Sequence, residues 1–253
     1  MLLPTYNCGT IVRATLEAVK WADEIVVVDS YSNDTTLEIC REFGALIFQH
    51  KYINSAKQKN WAVTRCKYEW VLQIDCDEVL EEGLREEIQV AIATAPPAVN
   101  LFRISRKNHM LGRWIRYGGN FPDYQTRLFR RNKACWNERE VHAHVATGGE
   151  VRTLDHSLLH NNMPNISKEL RNLDRYTRYE AEEMWKQQRY FRWHYLVVRP
   201  WLVFFHRYIW LQGFRDGWRG LFYATYTAMY VFLYWSKVWE MEELGLDRSP
   251  QWV

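Results

Sequence analysis

The amino-acid sequence predicts an α/β fold, in which helices flank a mainly parallel sheet, followed by a helical extension rich in aromatic and basic residues. Before Pro96, short apolar runs alternate with patterns typical of amphipathic helices, as they do in βαβ units. From about Asn165 the pattern is helical throughout. We therefore expect an α/β domain over residues 1–160 and a helical region over residues 161–253.

The spacing of apolar residues and the residues that flank each segment predict the strands and helices of the first region. Met1-Leu2-Leu3 is the stub of a first strand, and further strands are expected at 24–29, 45–49, 69–74, 99–104 and 126–130. Helices are expected at roughly 10–20, 35–43, 55–66 and 81–94. A loop with glycines and aromatic residues is expected at 106–124.

Composition excludes several protein classes. The 253 residues can bury one substantial core, and 47% apolar with 25% charged residues exclude a disordered or collagen-like chain. A formal net charge of +3 gives no reason to expect nucleic acid as a partner. The five cysteines are scattered without a C-x-x-C pair, so neither a disulfide framework nor a zinc site is expected. This cysteine usage fits a reducing cytoplasm, and no secretory signal is visible near residue 1.

Two apolar strands end in acids. Residues 71–74 lead into Asp75 and Asp77, and residues 25–28 lead into Asp29. Ligands of open parallel sheets lie beyond the carboxyl ends of the strands. Asp75 and Asp77 share a face on an extended strand, so both can address a divalent cation that is also bound to substrate phosphates. The alternative is that these acids only favour the N-terminus of a following helix.

Other polar residues are expected at the same edge of the sheet. Thr5, Tyr6 and Asn7 follow the first strand, where the Tyr6 ring could stack on a nucleobase. An ordinary asparagine turn is the alternative for this segment. Lys59, on the third helix, could reach phosphates or could belong to a solvated helix face.

Four motifs, in this order and at these intervals, resemble the nucleotide-sugar-binding half of the family-two glycosyltransferases, which have the GT-A type of Rossmann-like fold. The motifs are Pro4-Thr5-Tyr6-Asn7, Asp29-Ser30-x-Ser32-x-Asp34, Gln58-Lys59-Asn60-x-Ala62 and Asp75-x-Asp77-Glu78. Four further segments resemble the branch that adds glucose to the heptose of the lipopolysaccharide inner core. They are residues 21–25, 118–123, 127–129 and 141–142. The chain departs from the family pattern at Cys8-Gly9, where an acidic pair is usual, and in its short first strand.

The resemblance implies a role for each matching residue. Thr5, Tyr6, Asn7 and Asp29 would form the uridine pocket, with Asp29 accepting the uracil N–H. Lys59 would assist near the nucleotide, and Asp75 would approach the ribose. Glu78 is expected only to begin a helix.

The resemblance also implies an inverting displacement at the sugar, which needs a metal, a base and a way to neutralise the leaving diphosphate. Asp77 would bind Mg²⁺ or Mn²⁺, and Asp123 would take the proton of the acceptor hydroxyl. Arg127 and Arg130 are candidates for neutralising the leaving group.

His142 and His144 alternate with apolar residues, as on a strand, so both imidazoles could face one way. We predict His142 as an additional metal or phosphate contact, since it matches the family's Val-His element. A hydrogen-bonded structural role is the alternative, and His160 is a weaker candidate.

The helical region has an uneven composition. The segment from Lys186 to Glu240 contains eight Lys and Arg residues but two acids, and it contains six of the thirteen tryptophans. Aromatic and basic residues together favour a membrane surface, although packing against the catalytic domain or a second subunit is the alternative. The charge-free run at 220–236 has 17 residues, which is short for a membrane-spanning helix. We therefore expect this segment to lie along the membrane surface and not to span the bilayer.

These expectations combine into one function. The chain is expected to be a peripheral enzyme at the cytoplasmic face of the membrane. It would transfer a hexose from a UDP-sugar to a glycolipid or other saccharide acceptor, and the resemblance implies that this hexose is glucose. The first alternative is a sugar nucleotidyltransferase, although its Gly-rich phosphate loop is missing near residue 9. The second is a noncatalytic membrane-associated scaffold with the same fold.

Overall fold

The computed structural model describes residues 1–137 and 145–245, which form two compact units. The first unit comprises the described residues of Met1–Lys107 and Pro122–Asn162, and the second comprises Asn108–Phe121 and residues 163–245. The second unit thus includes a segment, Asn108–Phe121, that lies on the N-terminal side of the predicted boundary at residue 160.

The first unit begins with three parallel strands joined by helices, as the apolar pattern predicts. In chain order the elements are β1 (Leu2–Thr5), α1 (Val12–Val19), β2 (Val26–Asp29), α2 (Thr36–Glu42), β3 (Leu46–Gln49) and α3 (Ser55–Val63). The strands pair in parallel in the order β1-β2-β3, with Thr5 opposite Asp29. This register brings the carboxyl ends of β1 and β2 to the same edge of the sheet.

A second sheet completes the first unit. The following elements are β4 (Trp70–Leu72), β5 (Glu78–Leu80), α4 (Leu84–Thr94), β6 (Val99–Met110), β7 (Arg113–Trp114), β8 (Asp123–Arg130), β9 (Ala134–Trp136), β10 (Val145–Thr147) and β11 (Glu150–Met163). The sheet has the order β4-β8-β6-β11-β5 and is joined to β1 through a parallel bridge between Leu2 and Gln73. The predicted α/β fold is confirmed, with its parallel pairing in β1 to β3 and antiparallel pairing at β4–β8, β8–β6 and β11–β5.

Two predicted elements are wrong in extent. The loop expected at 106–124 is shorter, because β6 continues to Met110 and pairs with β8 as far as Arg106 opposite Asp123. Asp123 is therefore the first residue of a strand. The helix expected from residue 81 begins at Leu84, because Glu78–Leu80 pairs with β11 as a strand and is not the start of a helix.

Both faces of β1 and β2 are buried, which explains their continuous apolar sequence. On one face, Leu3 and Val27 pack in a core with residues of α1, α2 and α4. On the other, Leu2 and Val28 pack with α3. The helices therefore cover the sheet on two sides, and the strand ends remain as the place where polar side chains collect.

The second unit is helical. Its elements after β11 are α5 (Ile166–Lys186), α6 (Trp193–Phe205), a π-helix (His206–Trp210), a short 3₁₀-helix (Gly213–Asp216) and α7 (Trp218–Glu243). Its core joins α5 and α7 around the buried Trp235. Within residues 1–137 and 145–245, none of the helices combines the length and apolar character that crossing a membrane requires.

Candidate active site

The ends of β1 and β2 are tied together by a buried carboxylate. Thr5 Oγ1 donates a hydrogen bond to Asp29 Oδ1 at 2.9 Å, and the backbone N–H of Ser32 donates to Asp29 Oδ2 at 2.8 Å. Asp29 has no exposed surface, and Thr5 is also buried. Asp29 thus connects the end of β1 to the turn after β2. Its role as acceptor for a uracil N–H stays a prediction.

Asn7 links the turn after β1 to the turn after β2. Its backbone N–H donates to Ser32 Oγ, and its side-chain oxygen accepts from the N–H of Asn33, both at 2.9 Å. The φ angle of Asn7 is +46°, in the left-handed region that asparagine tolerates better than most residues. The asparagine turn expected as the alternative is therefore present, and it shapes the strand-end edge.

A surface pocket opens beside this edge. It is lined by Pro4, Thr5, Tyr6, Ser30, Tyr52, Ser55, Gln58 and Lys59. The Tyr6 side chain is well exposed, so its ring is available for stacking. Gln58 is buried and donates to Ser30 Oγ at 3.2 Å, which fixes the floor of the pocket. The predicted Thr5, Tyr6 and Lys59 come together here.

Lys59 connects the pocket to the acidic segment after β4. Helix α3 begins where the Asn54 side chain accepts from the N–H of Lys57, and Lys59 follows in the first turns. Its ammonium lies 3.4 Å from Asp75 Oδ1. Burial lowers the pKa of Lys59, and the nearby Asp75 carboxylate opposes that change. Lys59 is thus held inside the site and is not on a solvated helix face.

Asp75 and Arg127 form the next link. Arg127 Nη2 donates to Asp75 Oδ2 at 2.7 Å, and Gln73 Nε2 donates to Asp75 Oδ1 at 2.9 Å. Burial opposes the ionisation of Asp75, but Arg127 and then Lys59 hold the pKa of its carboxyl well below the ordinary value. Burial likewise opposes the charge of Arg127, whose pKa is raised by Asp75 and Glu78. Arg127 is buried between these two carboxylates, and its role in neutralising a leaving diphosphate stays a prediction.

Glu78 joins Arg127 to Arg106. Its carboxylate is fully buried, accepts from Arg127 Nη2, and lies 3.3 Å from Arg106 Nη1. Glu78 Oε2 also accepts from the backbone N–H of Asp75 at 3.1 Å. The expectation that Glu78 only begins a helix is therefore wrong, because this residue opens β5 and holds two arginines.

Asp123, the predicted base, ends the series of charges. Arg106 Nη2 lies 2.7 Å from Asp123 Oδ2, and Gln125 Nε2 donates to Asp123 Oδ1 at 2.7 Å. The Asp123 side chain keeps 26% of its surface exposed. We call the continuous series of alternating cations and anions the charge network; its members are Lys59, Asp75, Arg127, Glu78, Arg106 and Asp123.

Asp77 points to a different neighbour from Asp75. Its Oδ1 lies 3.5 Å from His160 Nε2, and its side chain is 30% exposed. Among the described residues, no three of His, Cys, Asp and Glu converge on a cation position. Mg²⁺ and Mn²⁺ often take only one or two protein carboxylates beside substrate phosphates, so the partly exposed carboxylate of Asp77 fits such an ion. His142, the second predicted ligand, lies outside the described residues.

Residues 1–151 match the sequence profile of glycosyl transferase family 2. The chain belongs to this family. It is therefore a glycosyltransferase, an enzyme that transfers sugars.

This glycosyltransferase is similar in sequence to two other glycosyltransferases and aligns with one solved structure. It is 25% identical over 236 residues to the lipopolysaccharide core biosynthesis glycosyltransferase LpsC of Rhizobium meliloti (strain 1021), covering 90% of this chain and 87% of that protein. It is 39% identical over 91 residues to an uncharacterized glycosyltransferase of Rickettsia bellii (strain RML369-C), covering 36% of this chain and 31% of that one. The crystal structure of S. aureus TarS 1–349 aligns with a TM-score of 0.45 and 17% identity, covering 97% of this chain and 91% of that chain.

Sequence reasoning missed two members of the charge network of this glycosyltransferase. Glu78 is followed by Val79 and Leu80, and that apolar pair is a signal for a strand. Arg106 shares a strand face with Phe102 and Ile104 by period two, and both of these are buried. A charged residue on a buried face requires an opposite charge nearby, which is the signal that could have found it.

We expect the replacement Glu78→Gln to lower the free energy of unfolding by about 3–5 kcal/mol, because it leaves two arginines short of a buried partner. Urea denaturation monitored by fluorescence measures this change.

Glu69→Gln is the matched control, since Glu69 pairs with Arg130 through a carboxylate that is 68% exposed. Its expected cost is about 0–1 kcal/mol. Equal losses in the two variants would contradict the importance assigned to Glu78.

Proposed function

We propose that this glycosyltransferase moves a hexose, with glucose as the expected sugar, from a UDP-sugar to a glycolipid acceptor such as lipopolysaccharide core, with inversion at the anomeric carbon. The observation that carries the proposal is the charge network, which runs from Lys59 in the strand-end pocket to Asp123. A nucleotide-sugar transferase needs a nucleotide pocket and an acceptor base within one site.

The pocket has the chemistry of a pyrimidine site. The exposed ring of Tyr6 offers a stacking surface, and Thr5 supplies a hydroxyl that is already oriented by Asp29. The Lys59 ammonium lies in the same lining, where it would face the nucleotide. Asp75, about one third exposed, would approach the ribose, held in place by Arg127.

Asp77 is the proposed ligand of Mg²⁺ or Mn²⁺, with His142 as a second ligand. When bound, such an ion would neutralise charge on the leaving uridine diphosphate. The protein's own contribution would be to hold the Asp77 carboxylate next to His160 and to keep Lys59 charged beside Asp75. Arg127 would act through Asp75, as a positioning residue.

Asp123 is the proposed general base. It would take the proton of the acceptor hydroxyl while that oxygen attacks the anomeric carbon and the diphosphate leaves on the opposite side. Its contacts with Arg106 and Gln125 fix the orientation of the carboxylate, and its partial exposure leaves room for an acceptor. A base must be oriented as well as present, which gives Arg106 its role.

The acceptor is proposed from two observations. The relative LpsC is named for lipopolysaccharide core biosynthesis, and it aligns over 90% of this chain. In the helical unit, α6 has no buried residue although its sequence is mostly apolar, and Trp201 and Leu202 are 62% and 61% exposed. Exposed tryptophans with arginines suit the surface of an anionic membrane, so we propose a peripheral enzyme at the cytoplasmic face.

We expect Mn²⁺ with UDP-glucose to raise the melting temperature of the enzyme, because a ligand that binds only the folded state stabilises it. Asp77→Asn should lose the part of this shift that depends on Mn²⁺ and should lose transfer. Glu82→Gln, at an exposed acid nearby, is the control and should behave as wild type. A full Mn²⁺-dependent shift in Asp77→Asn would exclude Asp77 as the ligand.

Asp123→Asn should bind UDP-glucose normally and lose about 100-fold or more in kcat, since general base catalysis contributes about 10²–10⁴-fold. Donor binding is measured by calorimetry and transfer by release of UDP. Full transfer with normal donor binding would assign the base to another carboxylate.

The replacement of Trp201 and Trp210 by serine should weaken binding to phosphatidylglycerol vesicles by about tenfold or more, since burying a large apolar side chain contributes about 1.5–3 kcal/mol. Vesicle sedimentation measures this. Val90→Ser, at an exposed apolar residue of α4, is the control and should leave binding unchanged. Loss of a dimer in light scattering with unchanged vesicle binding would favour a second subunit as the partner of α6.

A further inference from the structure

Two cysteine sulfurs meet beside the acidic segment of the site. Cys8 Sγ lies 2.8 Å from Cys76 Sγ, although the two residues are 68 positions apart in the chain. Cys8 follows the turn after β1, and Cys76 lies between Asp75 and Asp77. The contact therefore connects two segments that the fold alone brings together.

The two residues are anchored by separate hydrogen bonds. The backbone N–H of Cys8 donates to Thr36 Oγ1 at 2.9 Å, and the carbonyl of Cys76 accepts from Thr15 Oγ1 at 2.7 Å. A disulfide has a bond length of about 2.05 Å, so the sulfurs need to approach by about 0.8 Å, from 2.8 Å. A side-chain adjustment of that size is compatible with these anchors.

We propose that Cys8 and Cys76 are a site of reversible disulfide formation, with a small-molecule disulfide such as oxidised glutathione as the reactant. The first thiolate attacks oxidised glutathione, forming a mixed disulfide and releasing one glutathione thiolate. The second thiolate attacks the protein sulfur of the mixed disulfide and releases the second glutathione. The protein loses two electrons and two protons, which the two glutathione molecules carry away. Cys76 reacts first, since it is only partly buried while Cys8 is buried.

The other cysteines offer a contrast within the same chain. Cys40 and Cys66 are both buried, so oxidised glutathione cannot reach them and both are expected to remain free thiols. Cys135 is exposed. Exchange at Cys135 would stop at a mixed disulfide, and it serves as an internal reference for the reaction.

The bond would fix the Asp75–Asp77 segment to the turn after β1. This consequence rests on the proposed function, because it assumes that Asp75 and Asp77 face the donor. Since a displacement of about 1 Å in a site can cost about 100-fold in rate, we expect transfer to fall about tenfold or more on oxidation and to recover with a dithiol reductant.

The test treats the native, full-length protein with oxidised glutathione, alkylates the remaining thiols after denaturation, and maps tryptic peptides without reduction. Met1–Arg13 and Tyr68–Arg85 each contain one cysteine, Cys8 and Cys76. The expected product is a disulfide between these two peptides, with Cys40 and Cys66 alkylated. Alkylated Cys8 and Cys76, or glutathione retained on Cys76 of the wild type, would overturn the proposal.

Two variants sharpen the result. Cys8→Ser should retain glutathione on Cys76 because the resolving thiol is gone, whereas Cys135→Ser should still give the linked peptides. A link that forms without any change in transfer would refute the effect on the Asp75–Asp77 segment. If neither redox form uses a UDP-sugar, the proposed function fails, and the peptide map still decides whether the disulfide forms.

Discussion

The buried carboxylate of Glu78 is the interaction on which the rest of the site depends. A charge without exposed surface is tolerated only when opposite charges and hydrogen bonds surround it, and Glu78 has Arg127, Arg106 and the N–H of Asp75. Removing such a partner leaves other buried charges unpaired, which costs more than the pair itself contributes. Glu78 thereby fixes the position of strands β5, β6 and β8 with respect to the Asp75 loop.

The charge network links two chemical tasks that must be performed together. At one end, Lys59 and Asp75 lie by the pocket at the ends of β1 and β2. At the other end, Arg106 orients Asp123. Because Arg127 and Arg106 each lie between two carboxylates, the donor end and the base end are held by one set of contacts. The depressed pKa of Asp75 keeps that carboxylate negative across the whole neutral range, so Arg127 and Lys59 retain their anionic partner there.

Much of this arrangement could be predicted from local sequence patterns. The apolar run that ends in Asp29 forms β2, and the run before Asp75 is buried and includes the end of β4 at Leu72. The helix expected at 55–66 is observed as Ser55–Val63 after the capping Asn54. Parallel pairing then brings the strand ends together without any further information. The positions of Asp29 and Asp75 at this edge are predictable because each residue directly follows the apolar run before it.

The remainder depends on contacts between distant parts of the chain. Glu78 is 49 residues from Arg127 and 28 from Arg106, and no local pattern encodes either pairing. The acids after Asp77 resemble the first turn of a helix, and only the pairing of β5 with β11 makes Glu78 a strand residue. Asp123 was expected on a loop for the same reason, since its strand exists through pairing with β6.

A double-mutant cycle tests most directly whether the charge network behaves as one unit. Asp75→Asn and Arg106→Gln change two members that are connected through Arg127 and Glu78. The free energy of unfolding is measured by urea denaturation for the wild type, both single variants and the double variant. We expect a coupling free energy of about 0.5–3 kcal/mol between the two sites. Additivity within about 0.3–0.5 kcal/mol would contradict it, since that is the behaviour of independent sites.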